Sequence, residues 1–164
     1  MNLNDIPFGS LEAFNVLVEI PRGSNLKYEF DEASGDMKVD FVFEEFAFPF
    51  NYGFIPHTLG GDGDALDAIV LSSAPIPSGS IIECKAIGVL ETLDKGEVDN
   101  KFIVVPIANK LAKKYQDISD LPPDSLQTWT DLYMEIAGQK QKTIKVLGLK
   151  DKQSALSEIK KSLL

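Results

Sequence analysis

Through most of the chain apolar and polar residues come in short blocks, and only towards the C-terminus do they recur at helical spacing. Phe14 to Ile20 (FNVLVEI), Lys27 to Glu32 (KYEFDE) and Met37 to Phe43 (MKVDFVF) are rich in β-branched and aromatic residues and read as strands. Ala33-Ser34-Gly35-Asp36 has turn composition and joins the last two into a hairpin. After a loop, Asp67 to Ser72, Ile81 to Leu93 and Lys101 to Ile107 repeat the strand pattern. Pro75, Pro77 and Gly79 mark the first break between them, and Lys95-Gly96 the second. From Pro123, Leu126, Trp129, Tyr133 and Ile136-Ala137 follow helical spacing up to a stop at Gly138. Lys142 to Leu149 reads as one more strand, and Asp151 caps a final helix that turns Ala155, Leu156, Ile159 and Leu163 inward. Strands crowded together with helices added at the end predict an α+β fold around a small barrel. No repeat or linker divides the pattern, so residues 1–164 read as one domain.

Charge narrows the partners. Sixteen Lys+Arg against 25 Asp+Glu give a net charge of −9, which disfavours nucleic acid and anionic membrane surfaces. No segment approaches the roughly 18 apolar residues that span a bilayer, so no membrane partner is expected. The one cysteine, Cys84, reads as a small residue on a strand. With no basic region and apolar run at the N-terminus, a cytoplasmic location is the expectation.

Chemistry concentrates in Gly60 to Leu71 (GGDGDALDAIVL), where Asp62, Asp64 and Asp67 lead into a strand. The glycines allow a tight turn, and Asp62 and Asp64, two apart on an extended chain, are expected to share a side. Carboxylates held close together in a poorly solvated site repel one another unless a cation sits between them. Hard oxygen donors favour Mg²⁺, Mn²⁺ or Ca²⁺ over zinc. Alone, the segment is also good surface-turn chemistry. An EF-hand fits poorly, because Leu66 occupies its fifth position. A second cluster shifts the balance. Asp94 to Lys101 (DKGEVDNK) places Asp94, Asp99 and Lys101 at the mouth of a hairpin, while Glu19, Lys27 and Glu29 interrupt apolar strands upstream. Acids that bind cations, together with lysines that receive an anion, suit phosphoryl transfer.

These blocks resemble the family I soluble inorganic pyrophosphatases. Asp62-Gly63-Asp64-Ala65-Leu66-Asp67-Ala68 matches the family's D-x-D-x-x-D-x signature, with Ala65 where Pro or Glu is usual. Glu19-Ile20-Pro21, Lys27-Tyr28-Glu29, Asn51 to Thr58 (NYGFIPHT), Asp94, Asp99-Asn100-Lys101 and Val104-Val105-Pro106 follow in family order. The resemblance implies a five-stranded OB-like β-barrel with flanking helices, a cytoplasmic homo-oligomer, hexameric in bacteria, and Mg²⁺-dependent hydrolysis of pyrophosphate, with Mn²⁺ an alternative. It implies Asp62, Asp67 and Asp94 as ligands of a first metal, with Asp67 shared with a second. Asp99 and Glu29 lie near further metals, and Glu19 is an outer acid. Asp64 accepts the proton of the attacking water, and Lys27, Tyr52, Lys101 and Tyr133 grip phosphate.

Three departures thin the phosphate half of that site. Phe41 stands where the family has an arginine, Met134 where a lysine follows the helix tyrosine, and Phe48 where a tyrosine is usual. Arg22, Lys113, Lys114, Lys140 and Lys142 are candidate replacements, and each reads first as an exposed surface charge. His57 and Trp129 read as structural. Three functions stay open: a pyrophosphatase with weakened phosphate grip; a hydrolase of another phosphorylated or phosphonate compound, with Phe41, Phe48 and Met134 as an apolar wall; or a metal-binding relative without activity.

Overall fold

The computed structural model describes residues 1–164. Nine strands and three helices follow one another as β1 (Phe14–Ile20), β2 (Leu26–Asp31), β3 (Asp36–Val42), β4 (Asn51–Ile55), β5 (Leu66–Val70), β6 (Ile81–Asp94), β7 (Glu97–Val98), β8 (Lys101–Pro106), α1 (Leu111–Lys114), α2 (Ser125–Gln139), β9 (Ile144–Lys150) and α3 (Lys152–Ser162). Five strands close into a ring in the order β1-β4-β5-β8-β6, with β6 returning to β1. Closure leaves no edge between them unpaired. The fold is thus α+β with an OB-like ring and flanking helices, as expected. The β5–β8 pair is parallel, and the hairpin β2–β3 forms a separate two-stranded sheet.

Period-two alternation divides the ring's side chains between two cores. Ala68, Val70, Phe102 and Val104 join Phe14 and Val16 in one, which α3 caps with Ala155 and Ile159. Ile69, Ile103 and Val105 join the other, against Trp129, Leu132, Tyr133 and Ile136 of α2 and Phe43, Phe48 and Phe50. Trp129 is a core residue, as read from sequence, whereas Leu126 is exposed. Leu163 does not turn inward: it lies beyond the end of α3 and bridges to Thr58.

Strand β4 falls in a segment whose composition reads as a loop. Two of its residues explain both its existence and its disguise. Gly53 lies so close to β1 that a Cβ would collide with the Leu17 carbonyl, so only glycine fits there. The buried Asn51 side chain accepts from the Arg22 and Ile76 N–H groups at 2.9 and 2.7 Å and donates to the Ala74 carbonyl at 3.1 Å. Asparagine and glycine are poor strand formers, yet here they tie two loops to the ring.

Candidate active site

The starts of β5 and β8 and the end of β6 meet at one end of the ring. Parallel register sets Asp67 opposite Lys101, and the buried Lys101 ammonium donates to Asp67 Oδ2 at 2.6 Å and Asp99 Oδ2 at 2.7 Å. It also lies 5.6 Å from the Tyr52 ring centroid and 6.0 Å from that of Tyr133. Burial alone would lower the lysine's pKa, but Asp67 and Asp99 outweigh it and raise the net value, so the group stays charged. Burial and the Asp67 charge raise Asp99 in turn, with Lys101 opposing the rise.

The loop before β5 holds its acids in a turn. Asp62 accepts from the Asp64 N–H at 3.0 Å, and the Gly60 N–H donates to the Asp64 carbonyl at 2.7 Å. Asp62 and Asp64 are therefore not on an extended chain, contrary to the spacing argument. Of the three glycines there, only Gly63 takes a left-handed conformation, with φ 89°. The buried Thr58 hydroxyl anchors the loop, donating to the Ile55 carbonyl at 2.6 Å and accepting from the Leu66 N–H at 2.9 Å. His57 has the structural role expected of it, 2.8 Å from the Ile6 carbonyl.

Glu19 sits at a register shift in β1, a bulge that re-aims its side chain, and accepts from the Phe30 N–H at 2.8 Å. Burial pushes its pKa up to about 7, against that hydrogen bond, and the Asp67 charge adds to the rise. Lys27 pairs with Asp40 at 2.7 Å and lies 3.8 Å from Glu29. Burial opposes the Lys27 charge, but the Asp40 carboxylate overcomes it and raises the pKa. Burial raises the Tyr52 and Tyr133 pKa values as well, so both hydroxyls stay protonated donors. The Tyr133 hydroxyl is buried without a hydrogen-bond partner.

Glu19, Lys27, Glu29, Tyr52, Asp62, Asp64, Asp67, Asp94, Asp99, Lys101 and Tyr133 all line one cavity of about 290 Å³. Tyr28 and Glu32, which have no role in the sequence reading, line it too, as do Lys140 and Lys142, named there as candidate replacement cations but read first as surface charges. Lys140 and Lys142 are not exposed surface charges. Lys142 donates to Asp94 Oδ2 at 2.6 Å, and Lys140 Nζ lies 3.8 Å from Asp40 and 5.7 Å from the Phe41 ring centroid. Burial lowers the Lys140 pKa, and the like charges of Lys27 and Lys142 add to this. The available signal was their two-residue spacing just before a strand. Arg22 and Lys113-Lys114 do not reach the cavity; the Arg22 guanidinium donates to the Ser72 and Ser73 carbonyls instead.

Eight carboxylates thus face four lysines in the cavity, an excess of negative charge carried on hard oxygen donors. Their oxygens already gather cationic groups: Lys101 bridges Asp67 and Asp99, and Lys142 holds Asp94. No three acids converge on a common point. Divalent cations suit this donor set in charge and hardness.

The inorganic pyrophosphatase family profile matches residues 16–164. The chain belongs to the inorganic pyrophosphatase family. It is 40% identical to the inorganic pyrophosphatase of Aquifex pyrophilus over 172 aligned residues, covering 99% of this chain and 96% of that protein. The inorganic pyrophosphatase structure from Thermus thermophilus superposes with a TM-score of 0.88 at 36% identity, covering 98% of this chain and 95% of that one. An inorganic pyrophosphatase structure from Coxiella burnetii gives 0.90 at 32% identity, with 96% and 97% covered.

Within this pyrophosphatase fold the three departures occupy different places. Phe41 pairs across the hairpin with Lys27 and packs at 4.8 Å on Phe43. Phe48 is buried and lines the cavity. Met134 is 43% exposed and does not line it, so the expected apolar wall of Phe41, Phe48 and Met134 is instead formed by Phe43, Phe48 and Ile136.

Proposed function

We propose that this pyrophosphatase-family chain hydrolyses inorganic pyrophosphate to two phosphates and uses Mg²⁺, or Mn²⁺, to do so. The observation that carries this reading is the gathering of the acids and phosphate-gripping groups of a pyrophosphatase around one cavity at the end of the ring. Asp62, Asp67 and Asp94 would hold the first cation, Asp67 also the second, with Asp99 and Glu29 near further ones and Glu19 ordering their surroundings. Bound divalent cations supply charge neutralisation and a water acidic enough to attack near neutral pH.

The chain's own groups account for the remaining steps. Asp64, exposed at the mouth and fixed by its loop, takes the proton of the attacking water. Lys27 and Lys101 stay cationic in the cavity and offset charge on the phosphate oxygens. Tyr52 and Tyr133 donate hydrogen bonds from protonated hydroxyls, and the partnerless Tyr133 hydroxyl leaves one donor free for the substrate. The Phe48 ring, which also lines the cavity, packs 6.3 Å from that of Tyr52.

The same reading makes the protein a cytoplasmic homo-oligomer, a hexamer by family likeness. A net charge of −9 supports the exclusion of nucleic acid, and no helix is long and apolar enough to cross a membrane. Phosphate release from pyrophosphate, with Mg²⁺ and then Mn²⁺ against a chelator control, tests the activity. Turnover that needs the cation is the expected result, and no release with either ion would overturn the reading.

A further inference from the structure

The cavity's cations are unequally occupied. Lys101 and Lys142 each donate to carboxylates at 2.6–2.7 Å, and Lys27 does the same with Asp40 at 2.7 Å. Lys140 differs. Its only carboxylate neighbour within 4 Å is that same Asp40 Oδ2, at 3.8 Å and already bonded by Lys27, so its ammonium lies outside hydrogen-bond range of any acid. The side chain is only 20% exposed, and Nζ stands 5.7 Å from the centroid of the Phe41 ring. Lys140 is thus a half-buried ammonium near two other lysines, with no hydrogen-bonded acid of its own to offset its charge.

Its position is built in. Lys140 caps the C-terminus of α2, and Gln141 follows with φ 52°, a left-handed step that sends the chain back so that Lys140 and Lys142 line the same cavity. Gln139 fixes this turn against the loop after β3. Its amide oxygen accepts from the Glu44 N–H at 2.9 Å, and its amide nitrogen donates to the Glu44 carbonyl at 2.9 Å. Because both contacts are to backbone, the clamp fixes the turn beside Phe41 without depending on the Glu44 side chain. Phe41 in turn lies opposite Lys27 across the hairpin.

We infer that Lys140 is a substrate-gripping residue, reaching across the Phe41 ring to a phosphate oxygen and supplying from the α2–β9 turn the cation that position 41 lacks. Gln139 is the residue that positions it. The assignment rests on the pyrophosphate reading, and the anion it takes is one phosphate of that substrate.

Lys140→Gln and Lys140→Arg are compared with wild type and with Lys114→Gln, an exposed lysine outside the cavity. Two readouts apply: KM and kcat for pyrophosphate with Mg²⁺, and the calorimetric Kd of methylene bisphosphonate, a non-hydrolysable diphosphate analogue. Loss of a charged hydrogen bond predicts a 10- to 100-fold rise in KM and Kd for Lys140→Gln. Lys140→Arg should keep both within about fivefold of wild type, and Lys114→Gln should change neither. A Lys140→Gln protein that binds the bisphosphonate as wild type does overturns the assignment, as does equal weakening by glutamine and arginine. If wild type fails to turn over pyrophosphate, the function is wrong, while the Kd comparison still decides whether Lys140 grips a diphosphate.

Discussion

On one side of the cavity Asp67, Asp94 and Lys101 stand on strands β5, β6 and β8, each bonded to its neighbours in the ring or to β9. On the other, Lys27, Lys140 and Lys142 stand on a two-stranded hairpin and on a turn, both outside the ring. The three departures from the family pattern follow the same division: Phe41 is on β3, Phe48 in the loop after it and Met134 on α2. A residue on a closed ring is held by its register, and moving it means moving every strand. A residue on an appended hairpin or turn can be lost from one element and supplied from another, provided that the charge returns to the same space. Asp67, Asp94 and Lys101 are therefore tied to the scaffold, and the cations outside the ring can be rebuilt.

The sharpest way to break this contrast is at Asp64. Asp64→Asn removes the base and leaves the other acids, so kcat should fall by about 10²- to 10⁴-fold while stabilisation by Mg²⁺ persists. Simultaneous loss of that stabilisation would make Asp64 a metal ligand instead. Cations should act next most strongly. Mg²⁺ at a hundred times its Kd adds about 2.7 kcal/mol, or roughly 5–10 °C in Tm for a chain of this size, read by scanning calorimetry. A flat Tm in both Mg²⁺ and Mn²⁺ would reduce the acid half to a set of salt bridges.

Glu19 gives a smaller effect with a defined sign. Its pKa rises from 4.5 unfolded to about 7 in the fold, so between those values the unfolded chain releases a proton that the native state retains. Wild-type stability contributed by this group is thus lost as pH rises from 4.5 to 7. In chelator, Glu19→Gln should be more stable than wild type at pH 8, by roughly 3 kcal/mol, and equal to it near pH 4; equal denaturation midpoints at both pH values would contradict the burial argument. The smallest effect belongs to Tyr133→Phe. Its hydroxyl has no partner to abandon, so folding stability should hold, while KM rises roughly fivefold for a hydrogen bond of about 1 kcal/mol. A destabilised variant with unchanged KM would assign the hydroxyl to the core instead.

The same division explains what could be read from sequence. Ring strands β1, β5, β6 and β8 carry apolar alternation, and the acids at their ends stand out against it, so the clustering of acids was legible from residue types, while their separate roles came only with the family resemblance. Strand β4 was not legible, because Asn51 and Gly53 serve neighbouring loops and a close backbone approach, and neither role leaves a strand-like residue behind. Lys140 and Lys142 were hidden for another reason. A lysine after a helix end is ordinarily solvated, and what brings these two inward is a left-handed residue and a clamp to a loop 95 positions away. Contacts of that span leave no periodicity in either segment.

Ring closure also has a consequence for synthesis on the ribosome. The hairpin β2–β3 is local and can pair as soon as Val42 has emerged, and β4 can join β1 and β5 early, but β1 must wait for Ile81 to Cys84 for its second neighbour, and β5 for Lys101 to Val104. Such long-range pairings are slow to form and expose strand edges while they wait. The acid half of the cavity therefore assembles only after Pro106 is free of the tunnel, and Lys140 and Lys142 are delivered later still. During that interval Asp94 lacks Lys142, its partner in the finished cavity, a stage at which free cations are the counter-charge at hand.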